Sequence, residues 1–166
     1  APLTVLPTLF FYNRWQYTPE LIKPSITLTN KNYVTAEHYR LGKHYLYFLN
    51  ADDRLFTENE TNTEIVTGVP NASIFTKDAF HKAIIHNENI TQLRNKKSGT
   101  KFAAVYNLNI AAGETKTIYC RLSNNEIKKP FARGFEEVFN KRKKEADDFY
   151  ADILPKEMNK DLINIQ

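Results

Sequence analysis

Cysteine is nearly absent from this sequence, since only Cys120 occurs in 166 residues. A single cysteine excludes an internal disulfide framework and a cysteine-rich metal site, and it favours a reducing compartment. Because Cys120 lies in a strand-like run, we interpret it as a small buried hydrophobic residue rather than as a nucleophile.

Long hydrophobic runs are also absent, and none approaches the roughly 20 residues that a membrane-spanning helix needs. We therefore predict no membrane partner. Tryptophan occurs once, but 11 Phe and 9 Tyr help to bring aromatic residues to 13%, which is typical of β-rich folds. The sequence does not begin with Met and it stops within an apolar pattern, so we expect it to be a piece of a longer protein.

The first two thirds of the chain indicate antiparallel β-structure. Alternating or dense apolar runs with turn residues between them predict strands at residues 3–6, 9–12, 25–29, 44–49 and 55–57. The clearest pair, residues 102–110 and 115–122, predicts a hairpin whose loop has a positive φ at Gly113. One short inserted helix is expected at residues 76–86, with its cap near Thr76.

The spacing of apolar residues changes from two to between three and four after the strand region. This pattern predicts a helix that begins at Pro130 and is ended by Pro155, and another helix near Asn159. We therefore predict a mainly β fold, an antiparallel sandwich, over residues 1–127. A helical linker is predicted over residues 128–166.

Residues 55–64, which we call the acid–amide block, pass from two apolar residues into Glu, Asn and Thr almost without interruption. Such side chains suit hydrogen bonding to a polar ligand or support of an irregular loop, and the sequence leaves both interpretations open. Glu58 and Glu60 would share one face of an extended strand with Cα atoms about 6.6 Å apart. This lies within the carboxylate spacing of glycosidases, about 5 to 9.5 Å. We favour a structural role over catalysis, because any two acids at this spacing show the same geometry.

Arg14 and Trp15 form a second polar–aromatic pair, of the kind that holds a sugar or an anion, although a single Trp is as often a core residue. His81 could donate a hydrogen bond to a ligand from the polar side of its helix. Its separation of five residues from His86 does not suit a shared metal ion. We predict no metal site and no cofactor.

The segment of residues 91–101 is strongly basic. It contains no acid, and its basic residues equal the net charge of +4; they are Arg94, Lys96, Lys97 and Lys101. Such a segment could contact phosphates, but it is more often a solvated turn, which we predict here. No aromatic residue is interleaved before Phe102, so nucleic-acid binding is the least favoured class of function.

Several segments together resemble one protein family. Residues 6–15 are similar to its LPTLWFRNTW stretch, with Tyr12 and Arg14 as departures. The acid–amide block and three short segments after it resemble the family's central block in the same order, namely residues 68–71, 77–80 and 99–101. Residues 142–150 resemble its linker helix. The family comprises bacterial and fungal proteins similar to glycoside hydrolase family 63, related to the processing α-glucosidases and mannosylglycerate hydrolases.

The resemblance implies a large cytoplasmic enzyme in which an N-terminal β-super-sandwich, of the galactose mutarotase-like type, precedes an (α/α)6 barrel. In that family the general acid and base lie on the barrel, and the reaction is inverting hydrolysis of an α-glycosidic bond. This chain would then hold no catalytic residue, and its partners would be the barrel and an α-glucoside or oligosaccharide.

The residues expected to contact carbohydrate are Arg14, Trp15, Glu58, Asn59, Glu60, Asn62, Lys77 and His81. An independent carbohydrate-binding module is the alternative function. Such a module would need an open groove lined by aromatic side chains, for which Trp15 with Tyr12 or Tyr17 are the candidates.

Overall fold

The computed structural model describes residues 1–18, 20–132, 134–155 and 157–165. The chain divides into two compact units, Ala1–Lys128 and Lys129–Gln166. In the first unit, the strands are β1 (Pro2–Val5), β2 (Thr8–Phe10), β3 (Ser25–Asn30), β4 (Tyr33–His38), β5 (Gly42–Phe48), β6 (Asp53–Thr57), β7 (Ser98–Gly99), β8 (Lys101–Asn109) and β9 (Cys120–Ser123). The helices are α1 (Thr63–Thr67), α2 (Ala79–His86) and α3 (Ile90–Asn95).

The strands form two antiparallel sheets, so the predicted mainly β fold is confirmed. In the first sheet β8 is central, with β1 and β2 along one edge and β6 along the other. Pro7 separates β1 from β2, and its carbonyl still accepts a hydrogen bond from the Ala104 amide at 3.1 Å. The strand order of the second sheet is β7-β3-β4-β5-β9.

The main core lies between the two sheets. Phe102 of β8 is fully buried there, with its ring centroid 5.0 Å from that of Phe56 and 5.2 Å from that of Phe48. Alternate residues of β8 point the other way, so Ala103 and Val105 pack in a second cluster beneath α2 and α3. The first sheet is therefore apolar on both faces and forms the middle layer of the unit.

Cys120, predicted to be a small buried hydrophobic residue, is half-buried at the margin of the main core. Burial raises the pKa of its thiol. A hydrogen bond with Tyr106 lowers the pKa, but burial has the larger effect, so the pKa is raised overall. A raised pKa disfavours the thiolate. Cys120 is therefore placed to pack rather than to react, in agreement with the interpretation of the sequence.

The predicted hairpin of residues 102–110 with residues 115–122 is wrong. β8 pairs with β1, β2 and β6, whereas β9 pairs with β5 in the other sheet. Gly113 does have the predicted positive φ, +74°, but its loop carries the chain from one sheet to the other. The prediction fails because both edges of β8 are occupied by strands that are distant in sequence.

Four elements, β4, β7, α1 and α3, are absent from the sequence predictions. α1 forms in a polar segment because its ends are capped, since Asn62 Oδ1 accepts from the Ile65 amide at 3.2 Å and Gly68 has φ +75°. The predicted helix at residues 76–86 is present as α2. It begins at Ala79 because the Thr76 hydroxyl bonds to Asp78 instead of capping the helix.

The basic segment of residues 91–101 is not a solvated turn as predicted. It contains most of α3, whose Leu93 is fully buried. Its basic side chains contact neighbouring groups of the same unit, since Arg94 pairs with Asp53 and Lys101 Nζ donates to the Lys77 carbonyl at 3.1 Å.

The second unit contains the helices α4 (Phe135–Ile153) and α5 (Lys160–Ile165). α4 begins after Gly134, whose φ is +100°, and not at the predicted Pro130; Arg133 lies outside the described residues. No described residue of either helix is buried, and ion pairs such as Lys144–Asp148 at 2.8 Å lie on the surface. Within the described part of the chain, no helix combines the length and apolar character needed to cross a membrane.

Candidate functional site

The acid–amide block begins inside the first sheet and continues past its end. Leu55 and Phe56 are fully buried on opposite faces of β6. Beyond Thr57 the chain stays tied by backbone hydrogen bonds, with the Glu58 amide 2.8 Å from the Phe75 carbonyl. The polar half of the block is therefore held in place by the layer structure of the unit.

Glu58 and Glu60 converge on one cation, Lys23. Lys23 Nζ lies 3.1 Å from Glu58 Oε2 and 2.9 Å from Glu60 Oε1, and the two acidic side chains are only 15% and 11% exposed. Thr100 Oγ1 also donates to Glu58 at 2.9 Å, and Trp15 Nε1 donates to Glu60 at 2.7 Å. Both carboxylates therefore face the same side of the chain, and each has two partners within the protein.

Lys23 holds its charge in this cluster. Partial burial disfavours the ammonium group, but its hydrogen bonds to Glu60 and Glu58 outweigh that effect, so the pKa of Lys23 is raised above its usual value. Its Nζ also lies 5.9 Å from the centroid of the Trp15 ring. We call Lys23, Glu58, Glu60, Trp15 and Thr100 the charge cluster.

The amide side chains of the block are also used within the protein. Asn59 Nδ2 donates to the Phe11 carbonyl at 2.9 Å, and the backbone N–H of Asn59 donates to Thr100 Oγ1 at 2.8 Å. Gln16 makes a reciprocal pair with the backbone of Thr61, with distances of 3.0 and 3.1 Å. These bonds fasten the segment around residues 11–16 to the block.

Asn62 connects the block to the start of α2. Its Nδ2 donates to Asp78 Oδ2 at 3.0 Å, and Lys82 Nζ lies 3.0 Å from the same oxygen. Burial works against the charge of Asp78, but hydrogen bonds from Thr76, Lys82 and Asn62 outweigh it and lower the pKa of Asp78 to about 2. Asp78 is thus an ionised acceptor throughout the neutral range.

We expect Asp78 to make stability depend on acid pH. Its folded pKa lies below the unfolded value of about 3.9, so its contribution is present above pH 4 and is lost as the pH falls toward 2. The loss should be about 1 kcal/mol, because the side chain is 31% exposed and solvent screens it. Urea unfolding at several acid pH values should show a steeper loss of stability in the wild type than in Asp78→Asn, in which the other carboxyl groups still titrate. Asp148→Asn, at an exposed ion pair, is the control; equal slopes in wild type and Asp78→Asn would contradict the assignment.

The structure brings together some of the predicted carbohydrate contacts. Trp15, Glu58 and Glu60 meet around Lys23, and the backbone amide of Asn59 donates to Thr100 of the same cluster. Lys77 adjoins them, since its amide donates to the Glu60 carbonyl at 3.1 Å.

Three predicted contacts lie outside that cluster. Asn62 bonds to Asp78 instead, and His81 contacts His86, with ring centroids 5.3 Å apart. Arg14 is exposed, and its side chain makes no hydrogen bond or ion pair to another described residue. Among the residues that the structure describes, no group of three or more His, Cys, Asp or Glu side chains is suited to hold a metal ion.

Sequence reasoning missed Lys23, Gln16 and Thr100. Each is distant in sequence from the block, and no local pattern shows the contact. A glycine just before a strand, such as Gly99, is a sequence signal for a close approach of two backbone segments. In the structure, a Cβ atom at Gly99 would lie 2.4 Å from the Thr57 carbonyl oxygen. The close approach of two backbone segments at Gly99 is what delivers Thr100 to the charge cluster.

The chain is similar to the uncharacterized protein YMR196W of Saccharomyces cerevisiae, with 26% identity over 200 aligned positions. The alignment covers 99% of this chain but 18% of that relative, so the chain spans less than a fifth of the relative's length. No protein-family model matches the sequence, and no solved structure matches it.

Proposed function

We propose that this chain is the non-catalytic β-sandwich domain of a larger α-glycosidase, similar to glycoside hydrolase family 63, and that it supports the catalytic barrel beside the sugar cleft. The observation that carries this proposal is the pairing of both block carboxylates with Lys23. The similarity to a relative of which the chain covers 18% is compatible with a domain of a longer protein.

The chemistry of the charge cluster argues against catalysis by the chain itself. A general acid or base must present a free carboxyl oxygen to the substrate, whereas the carboxylates of Glu58 and Glu60 are both bonded to Lys23 and to one further side chain each. A general base must also reach a water molecule beside the substrate, whereas these two side chains are 15% and 11% exposed.

The surface next to the charge cluster is where we propose contact with sugar. Tyr12 and Tyr17 are 81% and 68% exposed, and Arg14 lies between them in sequence. Exposed aromatic rings and a guanidinium are suited to the apolar face and the hydroxyl groups of a sugar. The same exposure supports the second candidate, an independent carbohydrate-binding module. Trp15 is less suited to this role, because its indole N–H is already bonded to Glu60.

Turnover by the chain alone tests the proposal. Incubation with p-nitrophenyl α-glucoside and with maltooligosaccharides should release no product above the level of the Glu58→Gln/Glu60→Gln double variant. Hydrolysis by the wild type that the double variant abolishes would overturn the non-catalytic assignment. Titration with maltooligosaccharides addresses the second candidate, since saturable binding that Tyr12→Ala removes would favour a binding module.

We further propose a cytoplasmic setting for the whole protein. The support is the single half-buried cysteine, which has a raised pKa and suits a reducing compartment.

A further inference from the structure

A cleft of about 210 Å³ lies among the polar chain around α1, the helix α2 and the start of α3. Part of its wall is apolar, formed by Phe75, Ala79 and Leu93. Leu93 is fully buried and Ala79 is 6% exposed, so this wall belongs to the second core cluster and is fixed in position. The cleft has room for one sugar ring, and a longer chain would have to extend into solvent.

Some polar groups of the wall are already bonded within the protein, and others are not. Asn62 and Lys82 line the cleft but are bound to Asp78. Within the described residues, the side chains of Glu64, Glu88 and Asn89 also line it and make no hydrogen bond or ion pair. Three polar groups therefore remain available to a ligand.

The combination of these groups indicates the chemistry of the occupant. Two free carboxylates accept hydrogen bonds from hydroxyl groups, a free carboxamide can donate and accept, and an apolar wall suits the C–H face of a ring. The carboxylates disfavour a phosphate or a carboxylate ligand. The ammonium of Lys82 is paired with Asp78, and its remaining N–H groups can donate to a hydroxyl.

We propose that this cleft is a binding site for one neutral sugar ring, held by Glu64, Glu88 and Asn89 against the wall that contains Phe75. The site goes beyond the proposed function, because none of its lining residues belongs to the charge cluster and it does not require that the longer protein hydrolyse a glycoside. For a ligand with so few atoms, a millimolar dissociation constant is expected.

Amide chemical shifts of the 166-residue protein test the site. Methyl α-glucoside and maltose, titrated into the tens of millimolar range, should shift the amides of Ser73 and Asn89 in a saturable way. Glu64→Gln/Glu88→Gln should weaken binding about fivefold, because glutamine keeps an acceptor oxygen at each position and removes only the charge that strengthens the hydrogen bond. Asn89→Gly should weaken it similarly, because glycine keeps the left-handed backbone at φ +51° and removes only the side chain. Glu137→Gln, on the exposed side of α4, is the matched control.

Saturable shifts of the cleft amides that the cleft variants weaken, and that Glu137→Gln leaves unchanged, would support the site. No shift with either sugar would overturn it, as would shifts that appear only with an amine such as spermidine. Shifts confined to Tyr12 and Tyr17 would leave the proposed sugar-contacting surface in place and would overturn the cleft.

Discussion

Replacement of Gly99 by alanine is expected to lower the free energy of unfolding by about 3 kcal/mol. The added Cβ would lie 2.4 Å from the carbonyl oxygen of Thr57, and real contacts of this kind essentially never occur. Both backbone segments are held in place by hydrogen-bonded structure. Gly99 pairs with Ile26 of β3, and the Thr57 carbonyl accepts from the Thr100 amide at 3.1 Å. No flexible side chain can move aside to relieve the overlap.

Urea unfolding of Gly99→Ala beside Ser98→Ala measures this effect. Ser98 is the neighbouring residue of β7 and is exposed, so its replacement should change stability by less than about 0.5 kcal/mol. If both variants unfold at the same urea concentration as the wild type, the close approach at Gly99 is not a constraint on the fold.

Replacement of Lys23 by methionine is expected to cost about 2 kcal/mol of stability. Removing one partner from a buried ion pair typically costs about 3 to 5 kcal/mol, because a charge is left without compensation. Lys23 itself is 45% exposed, so water would partly compensate Glu58 and Glu60 in the variant. Methionine keeps most of the length of the side chain and its packing against Trp15.

Lys43→Met is the matched control for Lys23→Met. Lys43 pairs with Glu37 at 3.3 Å, but both side chains are more than half exposed. Surface pairs of this kind contribute about 0 to 1 kcal/mol. Urea midpoints that fall equally in both variants would show that the charge cluster is no more important to the fold than an ordinary surface pair.

Alternation along single strands was predictable from the sequence, because it depends only on neighbouring residues. Phe102, Ala104 and Tyr106 do face the main core together. The partners of that strand were not predictable in the same way. β8 is covered by β1, β2 and β6, and no local pattern distinguishes those strands from the nearby residues 115–122.

The residue types of the candidate site were predictable from the sequence, but their contacts with distant residues were not. Glu58 and Glu60 were recognised as a pair, and the structural interpretation that the sequence favoured agrees with their contacts. Their partner Lys23 lies more than 30 positions away, as the hydrogen bond to Glu60 across 37 positions shows. The helix α1 was missed because its caps, Asn62 and Gly68, outweigh the low helix propensity of the residues between them.

We conclude that the acid–amide block stabilises the first unit through its charge cluster, and a double-mutant cycle between Lys23 and Glu60 measures that stabilisation directly. Glu60→Gln keeps an oxygen that can accept from Trp15 and removes only the charge. Urea unfolding of Lys23→Met, Glu60→Gln and the double variant should give a coupling energy of about 1 kcal/mol or more. A coupling energy indistinguishable from zero would show that the charge cluster does not stabilise the fold.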